Sequence, residues 1–193
     1  GAGHNLVIRS NTIRENTVQS RRQADAAGVL VADAFRANIF VEYNRITSNR
    51  AISTKANHAH GGGMTLAVGL SSNSDFIVRR NVISYNELKI NPELERYNTY
   101  GAGINVFFAE PIDGRFDIVH HPTPVISENI ISHNISVNWG GGISVLRITN
   151  SYPDAPVCPK PLFINNTITG NYALDGSGLR NHNACPLLLN NTF

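Results

Sequence analysis

The sequence predicts an all-β solenoid, a single chain wound into stacked turns of short parallel strands. Three observations predict it. The signature Asn-x-Ile-x-x-Asn recurs five times, and a shortened copy, Asn191/Phe193, ends the chain. A glycine-centred motif recurs five times between those signatures, followed in the first four copies by alternating aliphatic residues. The first asparagines are separated by 33, 37, 48, 37 and 25 residues. Uneven repeats argue against helical arrays, whose unit length is usually fixed. They suit a coil in which any turn can grow a loop without disturbing the stack.

Each turn opens on a strand-like run: LVIRS, IFVEY, FIVRR, PVISE, LFIN and LLLN. Three residues before each first asparagine stands Ile8, Val41, Val78, Ile126, Phe163 or Leu188, apolar in every copy. The next residue is Arg9, Glu42, Arg79 or Ser127 in the first four copies, so the faces alternate as a half-buried strand requires. That outer column reads as a cross-strand charge ladder of low energy.

The asparagine turn follows. Its pairs are Asn11 and Asn16, Asn44 and Asn49, Asn81 and Asn86, Asn129 and Asn134, and Asn166 and Asn171. Stacked about 4.8 Å apart, such residues form ladders whose amides bond the copies above and below and satisfy turn backbone. Asn also tolerates the left-handed conformation that sharp bends need. We assign these asparagines a structural role. After a short strand and a variable loop comes the glycine bend, at Gly28, Gly63, Gly103, Gly142 and Gly178. Glycine is expected there because a Cβ would clash. Val29/Val31, Met64/Leu66, Ile104/Val106 and Ile143/Val145 then alternate as a further strand.

These Asn-x-Ile-x-x-Asn and Gly-x-Gly-aliphatic units, which cover essentially the whole chain, resemble the right-handed parallel β-helix family. That family includes pectate-lyase-like enzymes, tailspikes and many bacterial secreted and surface proteins. The resemblance implies about five to six coils, with the long insertions on the third to fifth. The right hand follows from the family and from the strong preference of parallel crossovers.

Residues 1–193 are expected to form one β-helix unit. The chain opens on a glycine bend and stops inside an asparagine turn, so we expect a segment of a longer solenoid. Its end coils would meet further coils or other protein subunits. A net charge of +2 with 16% charged residues gives no basic footprint for nucleic acid. No apolar run approaches the length of a membrane helix, so no membrane insertion is expected. Cys158 and Cys185 each precede a proline and a first strand, and fall at nearly the same place on neighbouring coils. One coil spacing suits a disulfide, which would imply an oxidising, extracellular or cell-surface setting. Two unpaired thiols are the alternative. Sequons at Asn134, Asn165 and Asn190 arise from the repeat itself.

Function is expected on the loops and exposed columns. The longest insertions are Glu87 to Thr99, Ala109 to Thr123 and Arg147 to Lys160, which would wall a groove or simply cover apolar surface. The residue before each glycine motif is Asp25, His60, Tyr100, Trp139 or Asp175. Read as an exposed column, His60, Tyr100 and Trp139 are ligand-binding candidates whose rings would meet sugars. The alternative is an aromatic ladder that stabilises the coil. No three histidines or acids can be shown to converge, so neither metal nor cofactor is expected. The principal reading is a secreted or surface β-helix for adhesion, extracellular assembly or carbohydrate contact. A purely structural subunit without a ligand is a third possibility. The competing reading is a carbohydrate-active enzyme, a polysaccharide lyase, epimerase or glycoside hydrolase. It would use Glu110, Asp113, Asp117 or Arg115, joined by His120 or His121, although no catalytic signature of the family stands in this sequence.

Overall fold

In the computed structural model, residues 4–21, 23–32, 37–54, 58–69, 74–90, 98–109, 122–147 and 158–193 are described. They form an all-β parallel solenoid with five sheets running along its axis. The first sheet stacks His4–Arg9, Ala37–Glu42, Asp75–Arg79, Val125–Ser127, Leu162–Ile164 and Leu187–Leu189. The second stacks the short strands inside the asparagine turns, from Thr12–Arg14 to Thr167–Thr169. The fifth stacks Val29–Ala32, Met64–Gly69, Ile104–Ala109, Ile143–Arg147 and Leu179–His182, which follow the glycine bends.

Two more sheets lie where the sequence reading expected variable loop. The third stacks Thr17–Ser20, Arg50–Ser53, Glu87–Ile90 and Ile135–Ser136; the fourth stacks Gln23–Asp25, His58–His60 and Asn98–Tyr100. The expected insertion from Glu87 therefore begins as a strand. Three turns carry all five strands, and a fourth has four strands with a bridge at Trp139 completing it. The next turn keeps three strands and the last contributes one, so the full turns number about four rather than five to six.

Alternation decides which side chains go inside. Val41, Val78, Ile126 and Phe163 of the first strands are buried, and so are Ile46, Ile83, Ile131 and Ile168 of the second. They meet Met64, Leu66, Ile104, Val106, Ile143 and Val145 in one continuous core. A smaller core of Ala24, Ala51, Ala59, Leu88 and Ala102 fills the space between the third and fourth sheets.

Both asparagine ladders form. Asn81 shows the pattern: its backbone N–H and Nδ2 donate to Oδ1 of Asn129, at 2.9 and 3.0 Å. Nδ2 also donates to the Val41 carbonyl of the preceding coil at 2.8 Å. The second ladder repeats this from Asn16 to Asn171. The left-handed backbone, however, does not fall on the ladder asparagines. It falls one residue earlier, at Ser10, Tyr43, Arg80 and Glu128 before the first ladder and at Glu15, Ser48, Tyr85 and His133 before the second. The ladder residue must aim its amide along the axis at its neighbour, so the preceding residue takes the bend and points outward. Gly103 packs against the second ladder: a Cβ there would lie 2.4 Å from the Gly142 carbonyl oxygen and 3.0 Å from Asn134 Nδ2. Close approach, not left-handed backbone, requires that glycine.

The charge column also differs from expectation. Arg9, Glu42 and Arg79 are in register on the outer face, but Glu42 has no exposed side-chain surface. Its carboxylate accepts from Arg9 Nε at 2.9 Å and Arg79 Nε at 2.7 Å, sandwiched between two half-exposed guanidinium groups. Burial pushes the carboxyl upward, but the two arginine hydrogen bonds and charges outweigh it and hold it below its ordinary value.

Cys158 and Cys185 form the expected disulfide, with Cα atoms 5.6 Å apart. It points to a non-reducing environment. No helix among the described residues is long and apolar enough to cross a membrane.

Candidate functional site

The column Asp25, His60, Tyr100, Trp139 and Asp175 ends the fourth sheet and its continuation, each residue paired in register with the next. After each comes a residue of positive φ: Ala26, Gly61, Gly101, Gly140 and Gly176. The chain therefore turns sharply between the fourth sheet and the fifth. The bend lies close over the outward side chains of the fifth sheet. A Cβ on Gly61 would sit 2.0 Å from Thr65 Oγ1, so φ and space both demand glycine there.

The ring column is not the open platform expected from the sequence. His60 and Tyr100 are buried, at 7% and 8% exposure. Their rings meet edge to face, with centroids 5.0 Å apart and planes at 84°. Tyr100 and Trp139 are also 5.0 Å apart, tilted by 56°. The guanidinium of Arg180 lies 4.0 Å from the Trp139 centroid, a cation–π contact, while its Nε donates to Asp175 at 2.9 Å. Rings one coil apart find each other before they find a ligand, which is why the column closes on itself.

What the column does build is a wall. Between it and the outer face of the fifth sheet lies a concavity of about 390 Å³, lined by Asp25, His58, His60, Thr65, Tyr100 and Phe107 among others. That volume is in the range of small-ligand sites. Asp25 Oδ1 lies 3.4 Å from His60 Nδ1 and accepts from Gln23 Nε2 at 3.0 Å. Burial lowers the His60 pKa from 6.5 to about 4; Asp25 pulls it upward and His58 downward, and burial prevails. His60 is therefore a neutral imidazole near neutral pH. Burial likewise raises the Tyr100 phenol, against a smaller lowering by the Arg180 charge.

Along this wall runs a row that the sequence reading missed. Thr65, Asn105, Ser144 and Arg180 are in register on successive strands of the fifth sheet, facing outward yet covered by the bends. Thr65 Oγ1, both amide atoms of Asn105, Ser144 Oγ and Arg180 Nη1 are buried without a hydrogen-bond partner, and so is His60 Nε2. The signal was present as the polar residue between the alternating aliphatics, Met64-Thr65-Leu66 and Ile104-Asn105-Val106.

Glu110, Asp113, Arg115 and Asp117, with His120 and His121, lie outside the described residues. His133 stacks on Tyr85 at the surface, with centroids 5.0 Å apart. Among the described residues no three His, Cys, Asp or Glu side chains are placed to hold a metal. A second hollow of about 420 Å³, between Ile168, Leu179, Leu188 and Phe193, is lined mainly by apolar side chains. No family model matches the chain, and neither does any curated protein or solved structure.

Proposed function

We propose that the chain is a secreted or cell-surface β-helix whose role is binding, through carbohydrate contact in the concavity behind the ring column. One observation carries this reading: the buried, unpartnered His60 Nε2 and Thr65 Oγ1, both on residues lining the hollow, at the head of a row that continues beyond it through Asn105 and Ser144. Each stranded polar group costs about 1–3 kcal/mol, and native folds hold few of them. A cluster along one stripe, next to a hollow of ligand size, is a set of hydrogen bonds awaiting a partner. Sugar hydroxyls both donate and accept, so they can meet imidazole, hydroxyl and amide in turn. The disulfide supports an extracellular setting.

The test is the paired variant Thr65→Val with Ser144→Ala. Removing stranded polar atoms should leave the fold as stable or more stable. Migration through gels containing a panel of plant and microbial polysaccharides then reads binding. Retardation of the native protein by at least one polysaccharide, lost in the variant, is the expected result. Equal retardation of both proteins, or none of either, would overturn the reading.

A further inference from the structure

We infer that the concavity takes a neutral, hydroxyl-donating ligand, an uncharged sugar ring rather than a uronate, and that His60 Nε2 is the acceptor that holds it. This deepens the carbohydrate reading above and rests on it. The argument begins with the tautomer. His60 Nδ1 faces the Asp25 carboxylate, an acceptor only, at 3.4 Å. The ring proton therefore belongs on Nδ1, and Nε2 presents a lone pair. Nε2 is buried, has no partner and belongs to a residue lining the hollow. A ligand group that meets it must donate.

Charge narrows the class further. No lysine or arginine is among the described residues that line the hollow, and Asp25 is the one carboxylate among them. The groups facing His60 are Asp25, His58, Tyr100 and Phe107. Burial keeps the imidazole uncharged near neutral pH, so it offers no counter-charge. Arg180 lies beyond Trp139 and is not among the residues lining the hollow; its Nε donates to Asp175. A carboxylate entering the hollow would lose water and meet Asp25 with no cation among the described lining residues to compensate. Leu30, Phe107 and Leu146 supply the apolar wall that the C–H face of a neutral sugar ring fits. Thr65 Oγ1, also unpartnered, is a second anchor that can donate or accept.

Calorimetry with xylohexaose, cellohexaose and mannohexaose against hexagalacturonate tests this. We expect at least one neutral hexaose to bind, and the hexauronate to bind about tenfold or more weakly. His60→Phe, which keeps a ring in the stack but no acceptor, should weaken the neutral ligand by about tenfold or more. Hexauronate binding as tight as the neutral sugars, or an unchanged His60→Phe, would overturn the inference and leave the carbohydrate reading standing. Absence of binding by every hexaose would remove both. A measurement on the unsubstituted protein does not depend on the variant folding: long-range ¹⁵N–¹H correlation should show His60 protonated at Nδ1 and bare at Nε2. A proton on Nε2 would overturn the inference.

Discussion

Replacing Asn86 by alanine tests the physics of the fold most directly. Asn86 is fully buried, and its Nδ2 donates to the Ile46 carbonyl at 3.0 Å and to Asn134 Oδ1 at 2.9 Å. Its Oδ1 accepts from Asn49 N–H and from Asn49 Nδ2, both at 3.0 Å. Alanine leaves the Asn49 N–H without its acceptor and takes a donor from the Ile46 carbonyl. Asn134 Oδ1 keeps the Asn86 N–H, and Asn49 Nδ2 keeps the Ile13 carbonyl. Two buried groups are therefore stranded, at about 1–3 kcal/mol each, so the expected loss is about 2–6 kcal/mol. Asn16 is the control. It is exposed and only donates along the ladder, to Asn49 Oδ1. Asn16→Ala strands nothing buried and should cost about 1 kcal/mol or less. Urea unfolding followed by circular dichroism compares the two, with amide exchange at Asn49 to localise the damage, since solenoids can open turn by turn. Equal losses in the two variants would refute the claim that buried amide satisfaction holds the ladder.

Three further outcomes follow from the same structure. Glu42→Gln should cost about 1–3 kcal/mol near neutral pH, because it removes a buried acceptor of charged donors. Since the folded carboxyl sits below its ordinary 4.5, the stability it contributes is complete above that value and fades as pH falls through the lower folded pKa. Wild type and variant should thus converge in strong acid, as chemical denaturation at a series of pH values will show. His60 acts with the same sign for a different reason: its folded pKa of about 4 lies under 6.5, so the unfolded chain binds the extra proton between them. Stability should rise by about 3 kcal/mol across that window, and His60→Phe should flatten this contribution in the same titration. The disulfide closes a separation of 27 residues, which corresponds to about 3–4 kcal/mol of loop entropy. Cys158→Ser with Cys185→Ser should release that stability chiefly at the last strand, where Leu187 N–H bonds the Pro161 carbonyl. Faster amide exchange at Leu187 and unchanged exchange at Ile83 is the pattern expected; a uniform change would contradict it.

The inward columns were legible because repetition marks them. Ile46, Ile83 and Ile131 stand at one distance from their asparagines, and all are fully buried. The third and fourth sheets were not legible, because their core is largely alanine. Ala24, Ala51, Ala59 and Ala102 are too small and too common to stand out in a hydrophobic pattern. Left-handed backbone is expected on asparagine, a residue that tolerates it. The fold aims its ladder asparagines along the axis and puts the left-handed bend one residue earlier, on Tyr43, Arg80 and Glu128 and, in the later coils, on Asn165 and Asn190. At the site, the repeat places His60, Tyr100 and Trp139 in one column but does not show that the column is covered. Their mutual packing depends on the bend angle, which sequence spacing does not carry.

The unsatisfied row gains its meaning from the satisfied ones. The same solenoid closes two ladders in which amide after amide finds its partner at about hydrogen-bond distance. Thr65, Asn105 and Ser144 stand at the same coil spacing and in equally strict register. Aliphatic side chains there would extend the neighbouring Ala67–Phe107–Leu146 stripe, pairs already in register one step along the strand. Apolar replacement would remove the cost of stranded donors and acceptors altogether. A chain that solves this problem twice by repetition, and leaves it unsolved along a row that begins at Thr65 in the wall of its ligand-sized hollow, is retaining hydrogen-bonding capacity for something outside itself. The same logic sets the experiment's sign. Variants that make this row apolar should gain stability as they lose binding, whereas a row that merely held the coil together would give up both.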